Sequence, residues 1–567
     1  MKNKGFTLVE LLAVIAILAI LVIIALPNVL KLYNNAKKNA FMTEAQNLAK
    51  EVSSKYISES MKGNKVTVIS NKQNPLDMTG RELEYNFELD SQGKIKNMIV
   101  SNGTYCISTN KDYTKITRND ISDKCSYEKL HNIVGTLKNK FYEESGRTDR
   151  SLVSSIVFYS DGRTVSGAES YDVSEKKDGS IKMYVSQNSE NTSLLDLTIV
   201  ANGKIALPEN SSNLFAFYHF NSCTGSESNL KEILFNDSVS TFNVTNMMEM
   251  FERSKATTLD LSSFDTSKVT NMGWMFSRSA ATEIKGLDKF NTSNVTAMGW
   301  MFAYSQATEI KGLNKFNTSK VKQMYSMFER SKATTLDLSS FDTSNVTNMS
   351  RMFAYSQATE IKGLNKFNTS KVNDMEDMFC FSEVTALDLN SFDTSKVTNM
   401  YSMFAYSQAI EIKGLNKFNT SKVTDMSGMF ANSKAPTLDL SSFNTSKVTD
   451  MSGMFAYSPA TALDLNNFNT SSVTDMHDMF YASKATEIKG LNKFNTSNVI
   501  DMRHMFANSQ ATALDLNSFD TSKVKYANEM FKNAKATTGY AKDAQTAAKF
   551  NDSSVTNIPN TLKFTVK

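Results

Sequence analysis

Glu10 is the single charged residue between Phe6 and Leu26, in the middle of a long apolar run. A carboxylate in lipid is costly unless a cation pairs with it, so this acid needs a partner. Elsewhere, chemistry-bearing residues are sparse. The four histidines, His131, His219, His477 and His504, are scattered and lack the spacing of metal ligands. The 30 methionines would suit a soft metal, but most recur in step with Val and Phe, which is the pattern of core packing. The sequence shows no nucleophile-base-acid grouping and no phosphate-binding loop. These residues predict a chain that is not an enzyme and holds no cofactor and no metal.

At about 1.5 Å per residue, the run from Phe6 to Leu26 is long enough to cross a hydrocarbon core of roughly 30 Å. Lys2 and Lys4 precede it, and Lys31, Lys37 and Lys38 follow. A secretory signal would be shorter and would carry a small-residue cleavage site after its apolar stretch. Here the processing point lies before it. The segment resembles a type IV prepilin signal, through Gly5, Phe6, Thr7, Leu8, Glu10 and Pro27. The resemblance implies that a prepilin peptidase cuts between Gly5 and Phe6 and methylates the new Phe6 amine. It also supplies a partner for Glu10, the positive N-terminus of a neighbouring pilin subunit during assembly.

Beyond Pro27, which is expected to kink or loosen the helix, Leu30, Tyr33, Ala40, Ala45, Leu48, Val52 and Tyr56 recur at steps near three and four. That spacing predicts an amphipathic helix, the second half of a pilin-like stem. From about Thr67 to Ser126 the pattern changes to short strands: residues 84–89 alternate, 90–93 read as a turn, and 95–100 resume. Cys106 and Cys125 bracket a polar loop, and a bridge closing it would contribute about 3 kcal/mol. A disulfide loop near the end of the head is also what the pilin resemblance implies. Cys223 and Cys380 have no evident partner and are expected to be unpaired.

Internal repetition dominates the rest. A Met-Phe pair recurs at Met250, Met275, Met301, Met327, Met352, Met378, Met403, Met429, Met454, Met479, Met505 and Met530, in steps of 25 or 26 residues. Longer units carry one extra glycine: Gly286, Gly312, Gly363, Gly414 or Gly490. Glycine tolerates a β-bulge best, so the insertion is expected to leave the flanking apolar residues pointing inward. Each unit reads as strand, turn and short helix. Leu259, Leu261 and Phe264 point inward, Asp265-Thr266-Ser267 supplies helix-capping chemistry, and Val269, Met272, Met275 and Phe276 share a helical face. Such units bury their apolar faces only by stacking, into an array roughly 50 Å long.

The recurring Phe-Asp/Asn-Thr-Ser-x-Val-Thr-x-Met-x-x-Met-Phe blocks, as from Phe341 to Phe353, resemble those of BspA-like leucine-rich-repeat surface proteins. The resemblance implies caps at both ends of the array and a role in adhesion to matrix, host cells or other bacteria. The sequence thus divides into a leader (1–5), a stem helix (6–58, with 6–26 transmembrane), a small β head (59–128), a connector (129–150), a β-rich cap (151–229), repeats (230–535) and a C-terminal cap (536–567). The predicted fold is an α+β pilin-like module, a long helix with a small β head, followed by a capped α/β leucine-rich-repeat-type solenoid of about twelve strand-turn-helix units.

Two exposed features are candidates for ligand contact. Trp274 and Trp300 occupy equivalent places in adjacent units and are expected to face away from the core. Tyr304, Tyr355, Tyr406 and Tyr457 recur at 51-residue steps just past Met-Phe. On the strands, Asp260, Lys285 and their equivalents mostly alternate in sign, which favours stacking. Net charge is only +4, from 62 basic and 58 acidic residues, so no nucleic-acid partner is expected. The expected partners are the prepilin peptidase, other pilins, the membrane and an extracellular protein or glycan, at the bacterial cell surface on a pilus or pseudopilus. The alternatives are a minor pseudopilin of a secretion or DNA-uptake machine, and a structural coat protein.

Overall fold

The computed structural model describes residues 8–70, 75–76, 83–102, 104–122, 133–147, 149–217 and 228–567, with side chains from residue 32 onward. The chain divides into two units, Met1–Ile133 and Val134–Lys567. Gly5 and Phe6 lie outside the described residues, as do the side chains of Glu10 and Pro27. Among the described residues no helix is long and apolar enough to cross a membrane.

In the first unit, α1 (Leu8–Met61) is one helix of 54 residues that continues through Pro27. Phe41, Ala45, Leu48, Ala49 and Val52 are buried on one face of it, at the three-and-four spacing of a helical stripe. Tyr33 and Ala40, assigned to that face from sequence, are exposed. Phe41 takes the contact instead of its neighbour Ala40, because it removes far more apolar area from water. The stripe packs with an antiparallel sheet in the order β1 (Val68–Ser70), β2 (Glu84–Leu89), β3 (Ile95–Ser101), β4 (Cys106–Thr109), β5 (Ile121–Ser122). Alternation along β2 turns Tyr85, Phe87 and Leu89 inward to share a core with α1. Cys106 is disulfide-bonded. Cys125 and Cys223 lie outside the described residues, whereas Cys380 is free and buried.

The second unit begins earlier than its sequence suggested. Residues 133–150, expected as part of a connector, contribute β6 (Ile133–Thr136) and a 3₁₀ turn that buries Phe141 and Tyr142 in the main core. The helical spacing there does not become a helix because Lys140 and Gly146 take left-handed φ values of 57° and 71° on either side of the turn. β7 (Val153–Tyr159), β8 (Glu169–Asp172), β9 (Ile181–Gln187), β10 (Leu195–Ala201), β11 (Lys204–Ala206), β12 (Glu232–Leu234) and β13 (Val239–Ser240) follow. They form a five-stranded sheet, β12-β7-β10-β9-β8, and a three-stranded sheet, β13-β11-β6.

Residues 230–535 contain no α-helix. Val269, Met272, Met275 and Phe276 are fully buried, but they lie on a chain of turns where a helix was expected. Trp274 and Arg278 take φ values of 60° and 56°, which a right-handed helix does not admit. The backbone amides bond to the next unit rather than within a helix. Met272 N donates to Ala297 O at 3.0 Å, Trp274 N to Gly299 O at 3.0 Å and Phe276 N to Met301 O at 2.9 Å. Parallel bridges run unbroken in this way from Asn210 to Tyr526.

The other expectations for the unit are also modified. Asp265 accepts from Ser267 N at 2.9 Å, an Asx turn rather than a helix cap. Most of the strands pair in twos, as Leu259 with Ile284, without a register shift, and Ala513–Leu516 joins a sheet of three. Gly286 is therefore not a bulge. It follows the strand at φ 87° and opens a 3₁₀ turn, Leu287–Lys289. The strand lysines approach a glutamate of their own strand, Lys413 to Glu411 at 3.4 Å, and Asp260 is held below the usual carboxylate range chiefly by Ser262. The alternating charges thus act little across units, and exposed pairs of this kind contribute only about 0–1 kcal/mol.

What binds the units together is apolar. From Phe215 to Phe531 one phenylalanine per unit stacks on the next, as Phe328 on Phe353 with centroids 5.9 Å apart and planes within 3°. Each such ring contributes roughly 1.5–3 kcal/mol through burial. At the C-terminal end Phe550 and Phe564 close on Phe531 at 5.5 and 4.8 Å.

Candidate functional site: an aromatic groove

Every unit places one left-handed residue just before its Met-Phe pair and another two residues after it: Trp274 and Arg278, Ser402 and Tyr406, Gly428 and Asn432, Gly453 and Tyr457. A side chain in that conformation costs about 1–2 kcal/mol. It persists because the surrounding amides and carbonyls are fixed in the ladder between units. The second position of each unit forms an outer row.

From Arg278 to Tyr406 that row is a continuous strip of rings and guanidinium groups. Arg278 lies 4.4 Å over Tyr304, and Arg330 lies 3.9 Å over Tyr355. Tyr355 stacks on Phe381 at 4.5 Å and Phe381 on Tyr406 at 4.2 Å, with planes within 6°. Tyr355, Phe381 and Tyr406 remain 36%, 38% and 39% exposed. The four tyrosines singled out from sequence all fall in this row. Phe381 and the arginines complete it, and they escape a reading of the sequence because they break the tyrosine period. The tryptophans differ from expectation. Trp274 and Trp300 are half-buried and stack on each other at 4.3 Å, so each covers a face of the other.

Past Tyr406 the surface becomes hollow. In two consecutive units the first left-handed position is glycine, Gly428 and Gly453, and the residues after Phe are Ala431 and Ala456. Missing side chains leave a groove of about 580 Å³. Tyr401 and Tyr406 wall one end, Tyr457, Tyr481 and His477 line its middle, and His504, Glu529 and Lys532 lie at the other end. Tyr457 is the most exposed of these rings at 51%. Its ring meets Tyr481 edge-on at 5.2 Å, and a hydrogen bond with Tyr481 raises its phenol above the ordinary value. The one sequence signal for this groove is the doubled block Met-Ser-Gly-Met-Phe-Ala at 426–431 and 451–456.

Residues 225–306, 279–386, 354–464, 380–490 and 458–565 match the family described as Mycoplasma protein of unknown function, DUF285, over more than half of the chain. The chain belongs to the DUF285 family. Residues 1–26 match the prokaryotic N-terminal methylation motif, which points to a surface- or pilus-associated protein. No curated protein and no solved structure matches the chain.

The DUF285 array also brings together groups that are far apart in sequence. Asp475, His477 and Asp501 lie close enough to share a cation. Their hydrogen bonds are already committed, within the trio and to Arg503. His477 Nδ1 is 2.7 Å from Asp475, and Arg503 clasps Asp501 through Nε at 2.9 Å and Nη2 at 2.5 Å. Burial works to raise the Asp501 carboxyl, and the Arg503 fork outweighs it, leaving it below the usual range. At the groove's far end His504 Nδ1 is 3.2 Å from Asp478, and its Nε2 is 3.7 Å from Glu529. Cys380 packs with Ala354 and Ala405, and burial pushes its thiol up to about 12, so it is not a nucleophile at neutral pH.

Proposed function

We propose that this DUF285 protein is a type IV pilin-like surface adhesin. In this reading a prepilin peptidase cleaves between Gly5 and Phe6 and methylates Phe6. The apolar run from Phe6 to Leu26 inserts in the membrane, with Glu10 pairing to the N-terminus of another pilin. The repeats then form a leucine-rich-repeat-type solenoid, BspA-like in its blocks, that attaches to a protein, cell or matrix ligand by binding rather than catalysis. The observation that carries the reading is one chain joining a methylation motif at residues 1–26 to an array with an exposed aromatic strip and groove. Exposed ring faces cost solvation unless something covers them, and soluble surfaces keep such patches small. An array of this bulk would crowd a uniform filament, which favours a minor or tip subunit.

Mass spectrometry of the mature chain from producing cells tests the display step. The expected chain starts at N-methylated Phe6 and is cut by protease added to intact cells. A chain that keeps Met1 and resists the protease would contradict it.

A further inference from the structure

Given the binding role proposed above, on which the ligand assignment rests, the groove at Gly428 and Gly453 narrows the class of ligand. Its floor offers no free backbone edge. Gly428 N donates to Ser452 O at 2.8 Å, and Gly453 N donates to His477 O at 2.8 Å. An extended peptide, which adds to a sheet through unpaired amides, has nothing to pair with. Charge disfavours an anion. Lys532 is the one lysine or arginine lining the groove, and it is held by Glu529 at 2.8 Å. Arg503, the nearest guanidinium in sequence, is clasped by Asp501. Acceptor oxygens line it instead, in the carboxylates of Asp478 and Glu529, whose two oxygens each keep lone pairs beside the contacts to His504 and Lys532.

Open aromatic faces next to fixed acceptors, over a floor of glycine and alanine, match a ligand with apolar C–H faces and a rim of hydroxyls. We propose that this groove binds a neutral oligosaccharide, its pyranose rings against Tyr406 and Tyr457 and its hydroxyls donating to Asp478 and Glu529. Tyr406 and Tyr457 lie two units apart, about 10 Å at ~4.8 Å per unit, a span that a short oligosaccharide can bridge.

The test uses the full-length chain, purified in a detergent without a sugar headgroup, on an array of neutral, sialylated and sulfated glycans and matrix proteins. Gly453→Trp fills the groove. A Cβ at Gly453 meets open space, and the equivalent position already holds Trp274 and Trp300 at φ 60°, so this variant keeps the fold. Tyr406→Ala removes a wall, and Lys285→Ala, on an exposed strand outside the groove, serves as a distant control. Saturable binding to neutral glycans is expected, weakened roughly tenfold or more by Gly453→Trp and by Tyr406→Ala and unchanged by Lys285→Ala. Binding confined to charged glycans or to proteins, neutral-glycan binding that survives Gly453→Trp, or no glycan binding would each overturn the proposal. If producing cells still attach through the chain while no neutral glycan binds, the adhesin reading stands and the oligosaccharide assignment fails.

Discussion

Gly363→Val is expected to destabilise the repeat array by about 2–6 kcal/mol. Gly363 sits at φ +86°, and a Cβ there would lie 2.7 Å from Ser339 Cα and 2.8 Å from the Leu338 carbonyl of the preceding unit. Left-handed strain at a non-glycine residue costs about 1–3 kcal/mol, and overpacking against backbone adds about 1–3 kcal/mol. Backbone cannot swing aside as a flexible side chain can, and both neighbouring strands are tied into the ladder. Gly453→Ala is the matched comparison. It has φ +59° with nothing within reach of the added methyl, so it carries the strain alone, about 1 kcal/mol. Urea unfolding of the full chain, followed by circular dichroism, reads both. Equal midpoints for the two variants would show that close packing between units does not limit stability.

Glu10→Ala is expected to leave cleavage after Gly5 intact and to reduce incorporation into filaments or surface complexes at least roughly tenfold. Removing one member of a desolvated charge pair costs about 2–5 kcal/mol, and about 1.4 kcal/mol is a factor of ten. In the proposed reading the peptidase reads the leader, whereas the pairing acts only when one stem meets another, so the two steps should separate. Quantifying cleaved chain in the membrane against chain in sheared filaments measures the split. Normal assembly of Glu10→Ala would remove the pairing argument, and loss of cleavage would assign Glu10 to recognition by the peptidase.

Legibility in the sequence followed the range of the interactions. The alternation of residues 84–89 and the burial of Met272, Met275 and Phe276 were readable because local period reports which side faces the core. The positive φ of Gly286 was readable too, but its role was not, since a turn and a bulge need the same residue. The expected helices failed at particular residues. Nothing in the types of Trp274 or Arg278 announces a left-handed backbone, which the amides of the next unit impose. The aromatic strip was half visible. Tyrosines at 51-residue steps stood out, yet Phe381 and Arg330 join them only because residues 25 or 26 apart become neighbours. The groove was least visible, because it consists of side chains that are missing in two consecutive units. His477 and His504 looked scattered for a related reason, since their partners Asp475, Asp478 and Glu529 are brought near only by the turns and the stacking.

The most direct measurement is attachment of producing cells to glycan- and matrix-coated surfaces. Cells carrying the wild-type chain are compared with a deletion strain and with that strain complemented by wild type, Tyr406→Ala or Gly453→Trp, at matched surface levels. Attachment should fall on deletion, return with wild type and stay low with either groove variant. Equal attachment by the deletion strain and the wild type, across every surface, would contradict an adhesive role for this protein.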